Sequence, residues 1–308
     1  MFPKSLFNLN QLTTAAIEEI LSRAAYYKKK RKKESFSSLK GKNIVLTFWE
    51  PSTRTRVSFE MAIRKLGGNV INYSPEISSE KKGENLKDTV NTLAALGADA
   101  VIFRHSSPGF FNLLSQLIDI PFISGGEGCY QHPTQALLDI FTLRDRGVEL
   151  SQLKVIIVGD ILHSRVARSL FYAFPPFSAE LTLVAPPVLL PEELVPRGVS
   201  RAYHLDEVLP EGDVVYLLRV QRERQGKNLL PSLAEYSALY GINEKRLPLL
   251  KKGVLLMHPG PVNVGTEISR GVLDYFEKNC PGSVLFQEQV RNGVFVRMAV
   301  LDLFLGGG

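Results

Sequence analysis

The sequence predicts an α/β protein with two parallel-sheet domains, and three observations lead there. Strand-like apolar runs alternate with helix-like segments along the chain, the mark of βαβ units. The apolar runs, such as "VLTF" and "KVIIVG", are strand-sized and fall far short of the ~20 residues of a membrane span. At 308 residues the chain is too long for one small core and suits two domains of about 150 residues.

The elements follow in order. "LTTAAIEEILSRAAYY" carries Leu12, Ile17, Ile20, Leu21 and Ala24 at helical spacing, and the run "KKKRKK" after it places cations where a helix dipole favours them. "NIVLTF" reads as a strand leading into a helix at Thr53, with Val57, Phe59, Met61, Ala62, Ile63 and Leu66 as its apolar stripe. "NVINY", "ENLKDTVNTLAALG", "ADAVIF", "FFNLLSQL", "PFIS" and "PTQALLDIFTLRDRG" continue the alternation. After a break near residues 132 to 152, a second series runs through "KVIIVGD", "HSRVARSLFYAF", "AELTLVA", "DVVYLL", "PSLAEYSAL", "GVLLMH" and a terminal helix in "GVFVRMAVLDLFL".

Open parallel sheets bind ligands at the carboxyl ends of their strands. Those ends carry Ser52-Thr53-Arg54-Thr55, Arg104-His105, "GGEGCYQHPTQ" with His132, then His163 and Arg165, Arg219, and "HPGP" at His258 to Pro261. Arginine recurs at four of these six ends, and guanidinium forks match phosphate and carboxylate oxygens. Arg54 and Arg56 also occupy the first turn of a helix, where the dipole favours anionic side chains. Ser52 or Thr53 as N-cap, free backbone N–H groups and Arg54 therefore make an anion site.

Other classes find less support. Cys129 and Cys280 stand alone and read as two buried thiols; no CxxC or HExxH spacing marks a metal, and no metal site is expected. The net charge of +6 permits nucleic acid as a partner, but no RNP, zinc-finger or helix-turn-helix pattern accompanies it. "KVIIVGDILHSR" has only Gly159 where a dinucleotide loop needs GxGxxG. The N-terminus lacks the basic and apolar regions of a secretory signal, so the expected location is cytoplasmic.

"STRTR", "KKGE", "FRH", "QHPTQALLD", "VGD…R", "RVQRER", "HPGP" and "NGVFVRMAVL" occur in the order and spacing of the aspartate/ornithine carbamoyltransferases, and the chain resembles that family over almost its whole length. The resemblance implies two doubly wound α/β domains: a carbamoyl-phosphate-binding domain at 1–133 with 286–308, and an acceptor domain at 134–285. The C-terminal helix would pack back on the first domain. It implies carbamoyl transfer from carbamoyl phosphate to an amine, with no cofactor and no enzyme nucleophile, in a homotrimer with shared active sites. Ser52, Thr53, Arg54 and Thr55 would bind the phosphate and Arg104 would bridge phosphate and carbonyl. Thr55, Arg104 and His132 would polarise that carbonyl, and Gln135 would hold the carbamoyl amide. Arg56 matches a position that is not a ligand.

The loop "SPEISSEKKGEN" would cross into the neighbouring copy's site with Ser78, Lys81 and Lys82, the last reaching both substrates. Arg165, Arg219 and Gln221 match positions that bind the carboxylates of L-aspartate, while Pro259, Gly260 and Pro261 would line the site through carbonyls. The chain has "HPGP" rather than the ornithine branch's "HCLP", and no "SMG" loop, so aspartate is the expected acceptor and ornithine the alternative. The reaction then belongs to pyrimidine biosynthesis. Glu80 and Val264 depart from the family pattern, which has glycine and often arginine there. Glu50 is expected to pair with Arg165 and Arg224, and Glu223 to orient Arg219. A regulatory chain or a dihydroorotase is a possible partner in related enzymes; nucleic acid and membrane are not expected partners.

Overall fold

The computed structural model describes residues 2–31, 35–74, 86–221 and 232–306. It divides into two compact units, residues 1–141 with 290–308 and residues 142–289. The first unit holds α1 (Thr14–Lys30), β1 (Asn43–Phe48), α2 (Thr53–Lys65), β2 (Asn69–Tyr73), α3 (Leu86–Ala95), β3 (Ala100–His105), α4 (Phe110–Leu117) and β4 (Phe122–Glu127), and α5 (Pro133–Asp145) begins in it. The second holds β5 (Lys154–Val158), α6 (Arg165–Ala173), β6 (Glu180–Val184), β7 (Ser200–Ala202), α7 (Leu205–Val208), β8 (Val214–Leu217), α8 (Leu233–Tyr240), β9 (Leu255–Met257) and α9 (Arg270–Asn279); α10 (Phe286–Leu305) ends the chain.

Every strand pairing is parallel. The orders are β2-β1-β3-β4 and β7-β6-β5-β8-β9. In each sheet the chain winds outward from its first strand, then returns to that strand's other edge, so β1/β3 and β5/β8 are the switch points where such sheets bind ligands. The buried β-branched and aromatic residues Val45, Val101, Phe103, Phe111 and Phe122 centre the first core, and Ile156, Val158, Val215, Leu217 and Leu256 centre the second. Burying each such side chain contributes about 1.5–3 kcal/mol.

Helix α5 is buried along most of its length: Ala136, Leu137, Ile140 and Leu143 have no exposed surface, and neither do the polar Thr134, Asp139 and Thr142. A helix buried on every side must satisfy its polar groups internally. Within the first unit, α10 packs against α1 through Arg23 to Asp302 at 2.6 Å and Lys28 to Asn292 at 2.9 Å, as the resemblance implied.

The structure departs from the sequence-based expectation at several places. The first helix begins at Thr14, capped by the Thr13 hydroxyl, so Leu12 lies outside it. Val57 and Met61, one turn apart on α2, are 46% and 45% exposed rather than part of the buried stripe of Phe59, Ala62, Ile63 and Leu66. Cys129 and Cys280 are half-buried, not core thiols. β7, α7 and α9 leave little mark in the sequence because they are short or carry few apolar positions; α9 buries only Val272 and Phe276 behind its Ser269 cap.

Candidate functional site

In the first unit, the turn after β1 delivers the start of α2. Ser52 is the N-cap, yet its hydroxyl accepts no bond from the helix, and the first turn contains no acidic residue. The unpaired N–H groups and the positive end of the dipole are thus left for a ligand. Thr53 and Arg54 are exposed, as is Arg56, while Thr55 turns inward and is 5% exposed. Thr55 Oγ1 lies 3.4 Å from Nε2 of His132, bringing together residues that follow the central strand β1 and the edge strand β4.

Arg104 leaves the end of β3 held on two sides. Its Nη1 donates to the carbonyl of Gly125 at 3.0 Å, and its Nε lies 3.2 Å from Glu50. Glu50 was expected to serve Arg165 and Arg224; within this unit it steadies Arg104. His132 immediately precedes α5, and Gln135, on that helix's first turn, donates its side-chain amide to Asp139 Oδ1 at 2.9 Å. His132 and Gln135 are buried, at 5% and 8% exposure.

The second unit places its candidate residues at the equivalent strand ends. Arg165 is the first residue of α6, follows the Ser164 cap and is 3% exposed. Arg219 and Gln221 sit just past β8, half-buried. Their backbone is held by two buried carboxylates absent from the sequence-based site. Asp160 accepts from the Gln221 N–H at 3.4 Å, and its other oxygen takes the His163 ring nitrogen at 2.8 Å. Glu267 accepts from the N–H of Val220 at 3.0 Å and from Asn263 at 2.5 and 2.7 Å, and lies 3.4 Å from Nε2 of His258.

The "HPGP" turn is built by His258, whose Nδ1 accepts from the Gly260 N–H at 2.7 Å, and by a cis Gly260–Pro261 bond. Val264 is exposed and pairs with Ile268 in a short bridge. Gly159 is not a nucleotide glycine: at φ +134° any Cβ there would meet Leu218 at 2.9 Å and the Tyr236 hydroxyl at 3.0 Å. Tyr236 is fully buried, and desolvation together with Glu267 and Asp160 pushes its phenol upward, keeping it neutral.

A further carboxylate escaped the sequence reading. Glu127, at the end of β4, is fully buried and accepts from the Phe111 N–H at 2.7 Å. Burial raises it to about 7, against the pull of the N–H groups of Phe111, Phe110 and Gly109. Its only sequence signal was an acid inside "GGEG", which does not separate it from a surface residue. Ser78, Glu80, Lys81, Lys82, Glu223 and Arg224 lie outside the described residues. Among the described residues no three His, Cys, Asp or Glu side chains gather as a metal would require, and no helix is long and apolar enough to cross a membrane.

Residues 4–145 match the carbamoyl-P binding domain of aspartate/ornithine carbamoyltransferase, and residues 151–304 match its Asp/Orn binding domain. The aspartate carbamoyltransferase catalytic subunit of Desulforudis audaxviator is 45% identical over 99% of this chain and 98% of its own. That of Moorella thermoacetica is 46% identical with the same coverage. Among solved structures, aspartate transcarbamoylase from Trypanosoma cruzi in complex with carbamoyl phosphate and aspartate superposes with a TM-score of 0.88, at 30% identity over 99% of this chain and 100% of that one. The catalytic subunit of M. jannaschii aspartate transcarbamoylase gives 0.83 at 33% identity, covering 98% of each chain. With both domains matched and these identities over nearly its full length, the chain belongs to the aspartate/ornithine carbamoyltransferase family.

Proposed function

We propose that the chain transfers the carbamoyl group of carbamoyl phosphate to the amine of L-aspartate, giving N-carbamoyl-L-aspartate and phosphate in pyrimidine biosynthesis. The observation that carries this reading is the start of α2, where an unspent N-cap hydroxyl, a first turn without acids and Arg54 face outward beside the buried Thr55–His132 contact. Ser52, Thr53, Arg54 and Thr55 take the phosphate oxygens. Thr55, Arg104 and His132 surround the carbonyl oxygen and stabilise the negative charge it gains as the amine attacks, and Gln135 holds the carbamoyl amide. The C–O bond to phosphate then breaks, and the departing phosphate accepts the proton lost by the amine.

Arg165, Arg219 and Gln221, with Lys82, bind the two carboxylates of aspartate, and the carbonyls of Pro259, Gly260 and Pro261 receive its amine. No protein nucleophile takes part; positioning and charge carry the reaction. Ser78 and Lys82 come from a neighbouring copy in a homotrimer, and the exposed Val57 and Met61 on α2 supply apolar surface for such a contact. Light scattering should return about three times the 34.3 kDa of one chain, and a monomeric mass in a fully active sample would remove this part of the reading. The relatives' designation as catalytic subunits supports association with a further chain, and the cytoplasm is the proposed location.

The test of the activity is ureido-product formation from carbamoyl phosphate with aspartate or ornithine as acceptor, run beside Arg54→Ala. Product with aspartate alone, lost in the variant, is the expected result. Product with ornithine alone would overturn the acceptor assignment.

A further inference from the structure

Gln135 gives its Nε2 to Asp139 Oδ1 at 2.9 Å, one turn along α5. A carboxylate only accepts, whereas a side-chain amide has a donor end and an acceptor end. That bond therefore decides which end of Gln135 is turned toward Asp139, and leaves Oε1 as the end offered elsewhere. An acceptor oxygen complements the NH2 of a carbamoyl group and gains nothing from a methyl group of the same size.

Asp139 has no exposed surface, and a carboxylate so placed requires an opposing charge. Arg297, on α10 and 4% exposed, is the cation beside it: the Cβ position of Gly293 lies 2.6 Å from Arg297 Nη1 and 3.1 Å from Leu138 Cδ2, so this stretch of α10 packs on α5 next to Asp139, whose charge acts on the guanidinium. Burial pulls Arg297 down to about 10 and Asp139 pulls it back up, so it remains a cation at neutral pH. Its Nη1 donates to Ser58 Oγ at 2.9 Å and to the Gly293 carbonyl at 3.3 Å, and its guanidinium carbon stands 5.1 Å from the centre of the Phe59 ring. A Cβ on Gly293 would come 2.6 Å from that Nη1, so the glycine of "NGVFVR" makes the seat that Arg297 occupies. Ser58 and Phe59 belong to α2, the helix whose first turn forms the anion site.

We propose that Asp139 and Arg297 are a buried positioning pair that holds the Gln135 amide with its oxygen toward the carbamoyl nitrogen, and so makes the site prefer carbamoyl phosphate to acyl phosphates of the same shape. The inference rests on the reading that Gln135 receives the carbamoyl amide. Neither Asp139 nor Arg297 touches substrate; both act through Gln135.

The test compares two stable ligands by calorimetry on the full-length protein: phosphonoacetamide, which keeps the amide, and acetonylphosphonate, which has a methyl group in its place. The proteins are the unaltered chain, Gln135→Ala, Asp139→Asn, Gly293→Ala, and the double variant Asp139→Leu with Arg297→Met, which removes both charges and leaves neither unopposed. The unaltered chain should favour phosphonoacetamide. That preference should fall roughly tenfold in Gln135→Ala and in both Asp139 variants, the scale of one lost hydrogen bond. Acetonylphosphonate affinity should stay within about twofold throughout, and Gly293→Ala should lower the preference in the same direction by displacing Arg297. In turnover, KM for carbamoyl phosphate should rise while KM for aspartate holds.

A preference lost in Gln135→Ala but kept in the Asp139 variants would overturn the positioning role and leave Gln135 as the amide contact. A preference unchanged in every variant, Gln135→Ala included, would remove the amide reading and the inference with it. Equal loss of both ligands in the Asp139 variants would show a purely structural role and would also overturn the inference.

Discussion

The anion sites proposed for the two units follow the same plan, Arg at the carboxyl ends of parallel strands, but the bonds around them differ in emphasis. In the first unit the supporting bonds act on side chains: Glu50 and Gly125 hold Arg104, Asp139 holds Gln135, and Thr55 meets His132. In the second, buried carboxylates tie down whole loops: Asp160 and Glu267 receive the backbone N–H groups of Gln221, Val220 and Asn263 as well as the side chains of His163 and Asn263, and the loops that carry Arg219 and "HPGP" take their course from them. The difference suits the chemistry proposed. A carbonyl whose charge changes during reaction needs donors fixed atom by atom, whereas a dicarboxylate acceptor needs two cations at a set separation, which a rigid backbone provides.

Substitutions in the two units should separate loss of chemistry from loss of stability. Arg104→Ala should lower kcat by about 10²–10³ while leaving the thermal midpoint nearly unchanged, because the guanidinium is fixed for chemistry; a large fall in thermal midpoint with near-normal turnover would erase the contrast. Glu267→Ala should do the reverse, costing about 2–5 kcal/mol in chemical denaturation because buried N–H groups lose their acceptor, with KM for aspartate raised and carbamoyl phosphate binding retained.

Glu127→Gln gives a pH signature. The folded-state value of about 7 lies above the ordinary 4.5, so the folded chain holds a proton that the unfolded chain has released. Stability from this group is full below about 4.5 and is lost as pH rises to about 7. The variant should flatten that slope by up to about 3 kcal/mol between those limits, and an unaltered slope in denaturation curves would place the titration elsewhere. Smallest, Thr13→Ala should cost about 1 kcal/mol by removing the α1 cap, with kcat unchanged; altered kcat would mean that the first unit transmits strain between its surface and its site.

The contrast also explains which features were legible in the sequence. The alternation of apolar runs identified both sheets, because parallel strands buried on both faces read as continuous β-branched segments such as Val155 to Val158. Arg104 and Arg219 were visible because a guanidinium at the end of such a run is conspicuous, and Arg54 and Arg165 because each opens the helix that follows one. Asp160, Glu267 and Glu127 were not, since a carboxylate that folds under a loop to receive N–H groups has the same local sequence as one in water. Val57 and Met61 misled for a related reason: helical spacing shows that apolar residues share a face without showing what covers that face. Asp139 sits inside the quoted "QHPTQALLD", yet the buried cation whose charge it meets, Arg297, lies on the last helix and leaves no local pattern.

The division of labour is tested most directly by Arg219→Ala, with carbamoyl phosphate affinity measured by calorimetry and KM for aspartate by product formation. Carbamoyl phosphate affinity should stay within about twofold of the unaltered chain while KM for aspartate rises about 10–100-fold, the range of one or two charge-assisted bonds. Comparable loss of both would contradict separate phosphate and dicarboxylate sites.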